Sequence, residues 1–301
     1  MNTIGFKDVL KKIEMTDPLH GKKIAKDLGN LDNSFYQKAD LFIKRIADYL
    51  EKKNQTIDYG IDCYFKMIAD VRSETKHFVR TGAYSSKSFE EVNNRVYSNP
   101  AIMEYYMNGL LLSQFLWGHH YAILNYFIDT IAAFTGKIKY YLEMGGGHGL
   151  YISEAVRLLN SETKFDLIDI SPTSIEASRS LISNDAVNYI LSDIFEIKSQ
   201  KKYDFITMGE VMEHVENPVA LLKKLGELLH DDGHMFITTP TNAPAIDHIY
   251  LFKNAEEIRQ VIKESGFEVI KESCFYAENV SKERAEKLKV AMMYAATIKK
   301  I

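Results

Sequence analysis

The chain has 301 residues, 46% hydrophobic and 26% charged, with a formal net charge of −4. This composition is ordinary for a globular protein with a sizeable core, and the acidic balance argues against a nucleic-acid partner, whose phosphates call for a basic surface. Cys63 and Cys274 are the only cysteines, which excludes a disulfide framework or a cysteine-rich metal site and fits a cytoplasmic location.

The opening Met1-Asn-Thr-Ile-Gly-Phe-Lys-Asp has no cationic start followed by an apolar run, so no secretion signal is expected. Residues 1–138 read as all-helical. Ile4, Phe6, Val9, Leu10 and Ile13 recur at helical spacing. Asn33-Ser34 is positioned to cap a helix reaching about Lys53, with Phe35, Ala39, Phe42, Ile43, Ile46 and Leu50 on one stripe. Another helix runs from Ile57 to about Val79, and Gly82 to Lys87 is a polar turn. Glu90 to Ser98 suits a short helix that Asn99-Pro100 ends. Ala101 to Phe134 is one long helix or two, with Gly109 and Gly118 as candidate breaks. Its apolar part is interrupted by Gln114, His119, His120, Asn125 and Asp129, so it reads as a buried helix rather than a membrane span.

Residues 139–301 alternate strand and helix. Strands are expected at Lys139–Met144, Lys164–Asp169, Asn188–Leu191, Phe205–Met208, His234–Thr239 and Phe267–Phe275. Helices are expected at Tyr151–Asn160, Ser174–Ser183, Pro218–Leu229 and Ala255–Ser265. Short connections between such elements imply a parallel sheet covered on both faces. Lys289–Ile301 follows without a full crossover helix, which predicts an antiparallel last strand. The expected fold is α/β, a doubly wound seven-stranded, mostly parallel sheet, preceded by an all-helical domain.

In Tyr140-Tyr-Leu-Glu-Met-Gly-Gly-Gly-His-Gly-Leu150 an apolar strand meets an acid, a glycine turn and a helix start. Glycine reaches positive φ at little cost and lets a ligand approach the backbone. Ligands of open α/β sheets sit beyond the carboxyl ends of the strands. The second strand ends at Asp169, placed to accept hydrogen bonds from ribose hydroxyls. The third ends at Asp193, placed for an adenine amino group, and the fourth runs into Gly209-Glu-Val-Met-Glu-His-Val-Glu-Asn-Pro218.

These motifs, in this order, resemble the class I S-adenosylmethionine-dependent methyltransferases over about Tyr140 to the C-terminus. A dinucleotide-dependent dehydrogenase shares the first two features but not the others together with an antiparallel last strand. The resemblance implies S-adenosyl-L-methionine as cofactor. It places Glu143, Gly145 and Gly147 at the methionine part, Asp169 at the ribose, and Asp193 with Ile194 at the adenine, with Ile170 as a further cofactor-binding residue. His148, inside the glycine turn, is expected near the cofactor as a hydrogen-bonding group.

Glu210, Glu213 and His214 stand at i, i+3 and i+4, on one face if their segment is helical. Carboxylates and imidazole suit a divalent ion such as Mg, Mn, Fe or Zn. His248, after the fifth strand, reaches the same rim. Glu-x-x-Glu-His-Val with a later Asp-His-x-x-x-Phe is similar to two subgroups, the ubiquinone-biosynthesis O-methyltransferases and the small-RNA 3′-end 2′-O-methyltransferases. In the latter, two Glu and two His bind a metal. That resemblance implies Glu210, Glu213, His214 and His248 as metal ligands.

The helical front half is the candidate substrate lid. Its segment Tyr105 to Tyr121 is rich in aromatics and holds His119 and His120. Either imidazole suits a general base, as does His214. Adjacent helical positions point about a hundred degrees apart, so one of the pair at most is expected to face the site. The expected activity is O-methylation of a small molecule: a hydroxylated aromatic, a polyketide-like compound or a carrier-bound acyl group. Two alternatives stay open, 2′-O-methylation of RNA and a non-catalytic cofactor-binding interaction protein. Homo-oligomer formation is left open too.

Overall fold

The computed structural model describes residues 4–182, 185–198 and 200–301. Its front half is helical: α1 (Phe6–Thr16), α2 (Pro18–Leu28), α3 (Asn33–Lys52), α4 (Ile57–Thr81), α5 (Phe89–Val92), α6 (Pro100–Leu116) and α7 (Gly118–Ala132). Local chemistry sets the ends. Asp32, not Asn33 or Ser34, caps α3: its carboxylate accepts the Phe35 N–H at 3.1 Å, and Asn33 is already helical. Asn99 caps α6 with Pro100 in the first turn, as Pro's fixed φ allows. Helix α2 is an addition to the expected elements, although Asp17-Pro18 supplies the same kind of start.

Between α5 and α6 the chain makes a π-helical turn, Asn93–Tyr97. The long apolar stretch divides at Trp117, just before Gly118. Gly109 does not break α6. A Cβ there would sit 2.9 Å from Met67 Cβ and 3.1 Å from Cys63 O, so its absence lets α4 approach α6.

The second half is β1 (Tyr140–Met144), α8 (Leu150–Leu158), β2 (Lys164–Asp169), α9 (Pro172–Ile182), β3 (Val187–Leu191), β4 (Tyr203–Gly209), α10 (Pro218–Leu228), β5 (Leu229–Thr241), α11 (Ala255–Glu264), β6 (Phe267–Tyr276), α12 (Lys282–Leu288) and β7 (Met292–Lys300). Ser183, taken from the sequence as the end of the helix after β2, lies outside the described residues, as do Met1, Asn2 and Thr3. The strands form one seven-stranded sheet in the order β3-β2-β1-β4-β5-β7-β6. β7 inserts antiparallel between β5 and β6, and the remaining pairs are parallel. Seven consecutive β7 residues, Met292 to Ile298, are buried, as expected of a strand covered on both faces.

Leu221, Leu225, Ile258 and Ile262 of α10 and α11 fill one face of the sheet. Ile152 and Ala155 of α8 fill the other together with Phe127 and Ile131 of α7. Helix α7 therefore packs into the α/β core, ahead of residue 139. The two halves also share apolar packing, since Leu150, Leu181 and Ile246 belong to the front-half core. Arg45 Nη1 on α3 pairs with Glu154 Oε1 on α8 at 2.7 Å. Among the described residues no helix is long and apolar enough to cross a membrane.

Candidate functional site

The carboxyl ends of β1, β2, β4 and β5 open onto one cavity of about 1330 Å3, roofed by α2, α4, α6 and the start of α7. Such a volume exceeds the usual range for one small-molecule site, up to about 1,000 Å3, and suits a cofactor and an acceptor together.

The turn after β1 is built by glycine conformation. Gly145, Gly147 and Gly149 have φ of 69°, 53° and 77°. A Cβ on Gly145 would stand 2.5 Å from Val211 Cγ2, and one on Gly149 2.6 Å from Ser178 Oγ. At Gly147 the nearest atom would be Met107 Sδ at 3.4 Å, so this position alone in the turn leaves ordinary van der Waals room. Asp169 ties the turn to β2: its Oδ2 accepts the Gly147 N–H at 3.0 Å and its Oδ1 the Ser171 N–H at 2.8 Å. Burial raises its pKa, opposed by these amides.

Ile170, Asp193 and Ile194 line the same cavity. Asp193 also caps the short turn Ile194–Glu196, its Oδ1 accepting the Phe195 N–H at 2.9 Å. Glu143 is 2% exposed, and burial pushes its carboxyl well above the usual range. His148 lines the cavity, its Nδ1 accepting the Leu150 N–H at 3.3 Å; burial lowers its pKa to about 4. A neutral ring accepting at Nδ1 carries its proton on Nε2. An open glycine wall beside a carboxylate with spare lone pairs fits the ribose and methionine parts of S-adenosylmethionine.

After β4 the expected α-helix does not form. Glu210 takes a left-handed conformation, φ 55°, and Met212–His214 make a single 3₁₀ turn. Without a helix, the i, i+3 and i+4 spacing does not put the three side chains on one face. Among the described residues Glu213, His214 and His248 converge, their ligand atoms within 4.8 Å of one another, and Glu210 stands outside the group. Its N–H donates to Thr238 O at 3.0 Å, while its Oε1 is buried without a partner. Burial raises the Glu210 carboxyl to about 7.

The convergence is made by the backbone. Glu213 O accepts the N–H groups of Ile249 and Tyr250, both at 2.9 Å, which holds the loop after β5 against the 3₁₀ turn. His214 Nδ1 lies 2.9 Å from Asp247 O, and His248 Nδ1 lies 2.6 Å from Ala243 O. A carbonyl can only accept, so both rings carry their proton on Nδ1 and leave Nε2 with a lone pair. Those two Nε2 atoms lie 3.6 and 3.8 Å from Glu213 Oε1, which is buried with no hydrogen-bond partner. Three electron-rich atoms thus face one another at distances too long for hydrogen bonds. Ligands about 2.1 Å from a tetrahedral ion stand roughly 3.4 Å apart, so the donor set fits a divalent ion. Burial, with Glu210 next, holds the Glu213 carboxyl well above its ordinary pKa, and burial lowers His248 to about 4.

His119 and His120 both line the cavity, against the expectation that at most one would face it. They open α7 directly after the break at Trp117, and their ring centroids are 4.6 Å apart. Burial lowers His119 to about 4, and burial, with His119 and His148 next, lowers His120 well below its ordinary value.

Sequence reasoning missed Asp247 and Tyr97. Asp247 is 5% exposed with an unpartnered Oδ1, and its Oδ2 lies 3.5 Å from the Tyr97 hydroxyl. The acid adjoining His248 was the one available signal. Nothing local marks Tyr97, which reaches the site through the π-helical turn.

A family model described as a methyltransferase domain matches residues 117–272, just over half of the chain. The match begins at the break before α7, the helix that packs on the sheet. A ubiquinone biosynthesis O-methyltransferase of Xanthomonas campestris pv. campestris is 31% identical over 108 residues, 35% of this chain and 44% of that protein. A ubiquinone biosynthesis O-methyltransferase of Marinobacter nauticus is 30% identical over 125 residues, 40% of this chain and 51% of that protein. The chain thus spans about half the length of these curated relatives. Among solved structures, the mitomycin 7-O-methyltransferase MmcR superposes with a TM-score of 0.53 at 15% identity, covering 77% of this chain and 68% of that one; this likeness shows the fold. Sheet order, glycine turn, strand-end carboxylates and the matched domain agree, and the chain belongs to the class I S-adenosylmethionine-dependent methyltransferases.

Proposed function

We propose that the protein transfers the methyl group of S-adenosylmethionine to a hydroxyl oxygen of a small molecule, with help from a divalent ion. The observation that carries this reading is Glu213 Oε1, buried and unpartnered between two imidazole Nε2 lone pairs. The sequence similarity to ubiquinone biosynthesis O-methyltransferases supports an oxygen acceptor.

In this reading Gly145, Gly147, Glu143 and His148 hold the methionine part, Asp169 and Ile170 the ribose, and Asp193 and Ile194 the adenine. When bound, the cofactor supplies a methyl group already activated by a sulfonium. The chain contributes orientation and exclusion of water, with α2, α4 and α6 closing over the rim. Glu213, His214 and His248 hold the ion, which would supply Lewis acidity toward a hydroxyl. Two imidazoles and one carboxylate favour Zn, Fe or Mn over Mg, which prefers oxygen ligands. A neutral histidine at the cavity wall, His119 or His120, takes the acceptor's proton. The helical front half, residues 1–138 with α7 shared between the two units, selects the acceptor: a hydroxylated aromatic, a polyketide-like phenol or a carrier-bound acyl group. The reaction is assigned to the cytoplasm.

The test is a screen of such acceptors with S-adenosylmethionine, read as S-adenosylhomocysteine formed and as the methylated product by mass spectrometry and NMR. An O-methyl product is expected. Exclusive N- or C-methyl products would sink the oxygen assignment.

A further inference from the structure

Two adjacent histidines face the cavity, and their surroundings are not equivalent. We propose that His120 offers the acceptor a basic nitrogen of fixed tautomer, and that Ser113 sets that tautomer. This rests on the O-methyl transfer reading above.

His119 is held by its face. Its ring stacks on the Trp117 indole with centroids 5.6 Å apart and planes 22° apart. That indole is itself fixed: Trp117 Nε1–H donates to the Tyr64 hydroxyl at 2.8 Å. The hydroxyl, fully buried, lies 2.7 Å from His20 Nε2 and gives its own proton there. The same indole also packs on His120, tilted by 55° with centroids 4.7 Å apart, so what sets His120 apart is the hydrogen bond at its ring edge.

His120 is held by its edge. Its Nδ1 lies 2.9 Å from Ser113 Oγ. The Ser113 hydroxyl donates to Leu110 O at 2.7 Å within α6. Two oxygens that close need a proton between them, and the hydroxyl has one to give. The imidazole must therefore supply the proton on the Nδ1 to Oγ contact. Gln114 Nε2, 3.4 Å from the same Nδ1, stands at the limit of hydrogen-bond range and is 3.3 Å from Leu110 O, to which it donates. The ring is accordingly the Nδ1–H tautomer, and Nε2 keeps its lone pair. Ser113 is fully buried and off the cavity wall, while His120 is on it. The nitrogen anchored on Ser113 is the one turned into α6, so the lone pair is the one left to the cavity. Burial, with His119 and His148 alongside, keeps His120 neutral.

In the transfer, the acceptor oxygen bonds to the methyl carbon as the sulfur–carbon bond breaks and its electron pair returns to sulfur. The acceptor's proton goes to His120 Nε2. A sulfonium, an alcohol and the neutral imidazole become a thioether, an ether and an imidazolium, whose Nδ1–H stays on Ser113. Ser113 is a positioning residue.

The test uses full-length protein labelled with 15N-histidine and saturated with S-adenosylhomocysteine. His120 is expected to show a protonated Nδ1 and a pyridine-like Nε2. Ser113→Thr should keep that pattern, and Ser113→Ala should lose it. In parallel, diethylpyrocarbonate with peptide mapping should carbethoxylate His120 at Nε2. An Nε2–H tautomer in the wild type, an unchanged tautomer in Ser113→Ala, or a His120 that the reagent leaves unmodified overturns the proposal. Should Ser113→Ala fail to fold, the wild-type spectrum and the reagent mapping still decide. Failure of the acceptor screen would count against O-methylation and leave these spectra unaffected.

Discussion

Gly147 donates its backbone N–H to Asp169 Oδ2 at 3.0 Å, so the glycine turn and the carboxylate at the end of β2 are one unit. The other oxygen is held by Ser171. A carboxylate oriented by two amides keeps its remaining lone pairs aimed before any ligand arrives, which lowers the ordering cost of binding. Asp169→Ala should therefore weaken S-adenosylhomocysteine binding by roughly tenfold to a hundredfold, the loss of a charged hydrogen bond worth about 1.5–3 kcal/mol. Asp169→Asn, which keeps one acceptor, should lose less. Isothermal titration calorimetry reads both, and an unchanged Kd for the alanine variant would remove Asp169 from the binding site.

The convergence of Glu213, His214 and His248 predicts bound metal in stoichiometric amount. Glu213→Gln and His248→Ala should lose it, and Glu210→Gln should retain it, because Glu210 stands outside the group. Metal analysis by plasma mass spectrometry after dialysis separates these outcomes. Equal retention in all three variants would show that the cluster binds no ion. Binding should weaken in acid, since Glu213, raised by burial, must release a proton to ligate.

His148 makes a pH prediction with a definite sign. Burial lowers its folded pKa to about 4 from 6.5, so the folded state binds fewer protons than the unfolded one. The resulting stability is present above pH 6.5 and lost as pH falls toward 4. Full burial would set this at about 3 kcal/mol, and the ring's partial contact with the cavity reduces it to about 2 kcal/mol. Urea unfolding between pH 4.5 and 7 should give a flatter stability profile for His148→Gln than for the wild type. Parallel profiles would mean that the ring is solvated.

Gly109 and Gly118 form a matched pair. Gly109→Ala drives a methyl against Met67 Cβ and Cys63 O and should cost about 1–3 kcal/mol. Gly118→Ala meets nothing within 4 Å and should be neutral or slightly stabilising, because alanine restricts the unfolded chain. Thermal melts of the two variants check this, and equal effects would contradict the close approach of α4 to α6.

Much of the fold was legible because strand and helix periods repeat along residues 139–301. β2 was placed at Lys164–Asp169 to the residue, since turn signals bound its apolar run on both sides. The others differ at their ends: β5 starts at Leu229, ahead of the expected His234, because its leading Asp231-Asp-Gly233 carries no strand pattern. In the front half the helices α3 and α4 were readable from their apolar stripes. Helix α2 was not, because its buried residues are few: Gly21, Ile24 and Leu28.

The sequence alone determined which residues gather at one rim of the sheet. A glycine turn after one strand, an acid ending the next and Asp193, which the structure puts two residues past the end of β3 and not at its end as expected, share a rim once the strands run parallel. Tertiary structure decided the rest. Glu210 stands outside the cluster of Glu213, His214 and His248 because a left-handed residue and a 3₁₀ turn replace the helix that would have aligned it. His248, 34 positions after His214, joins because two backbone amides bond to Glu213 O. His119 and His120 both reach the cavity because α7 begins at the break beside Trp117. Each depends on contacts between segments remote in the chain, which no local period encodes.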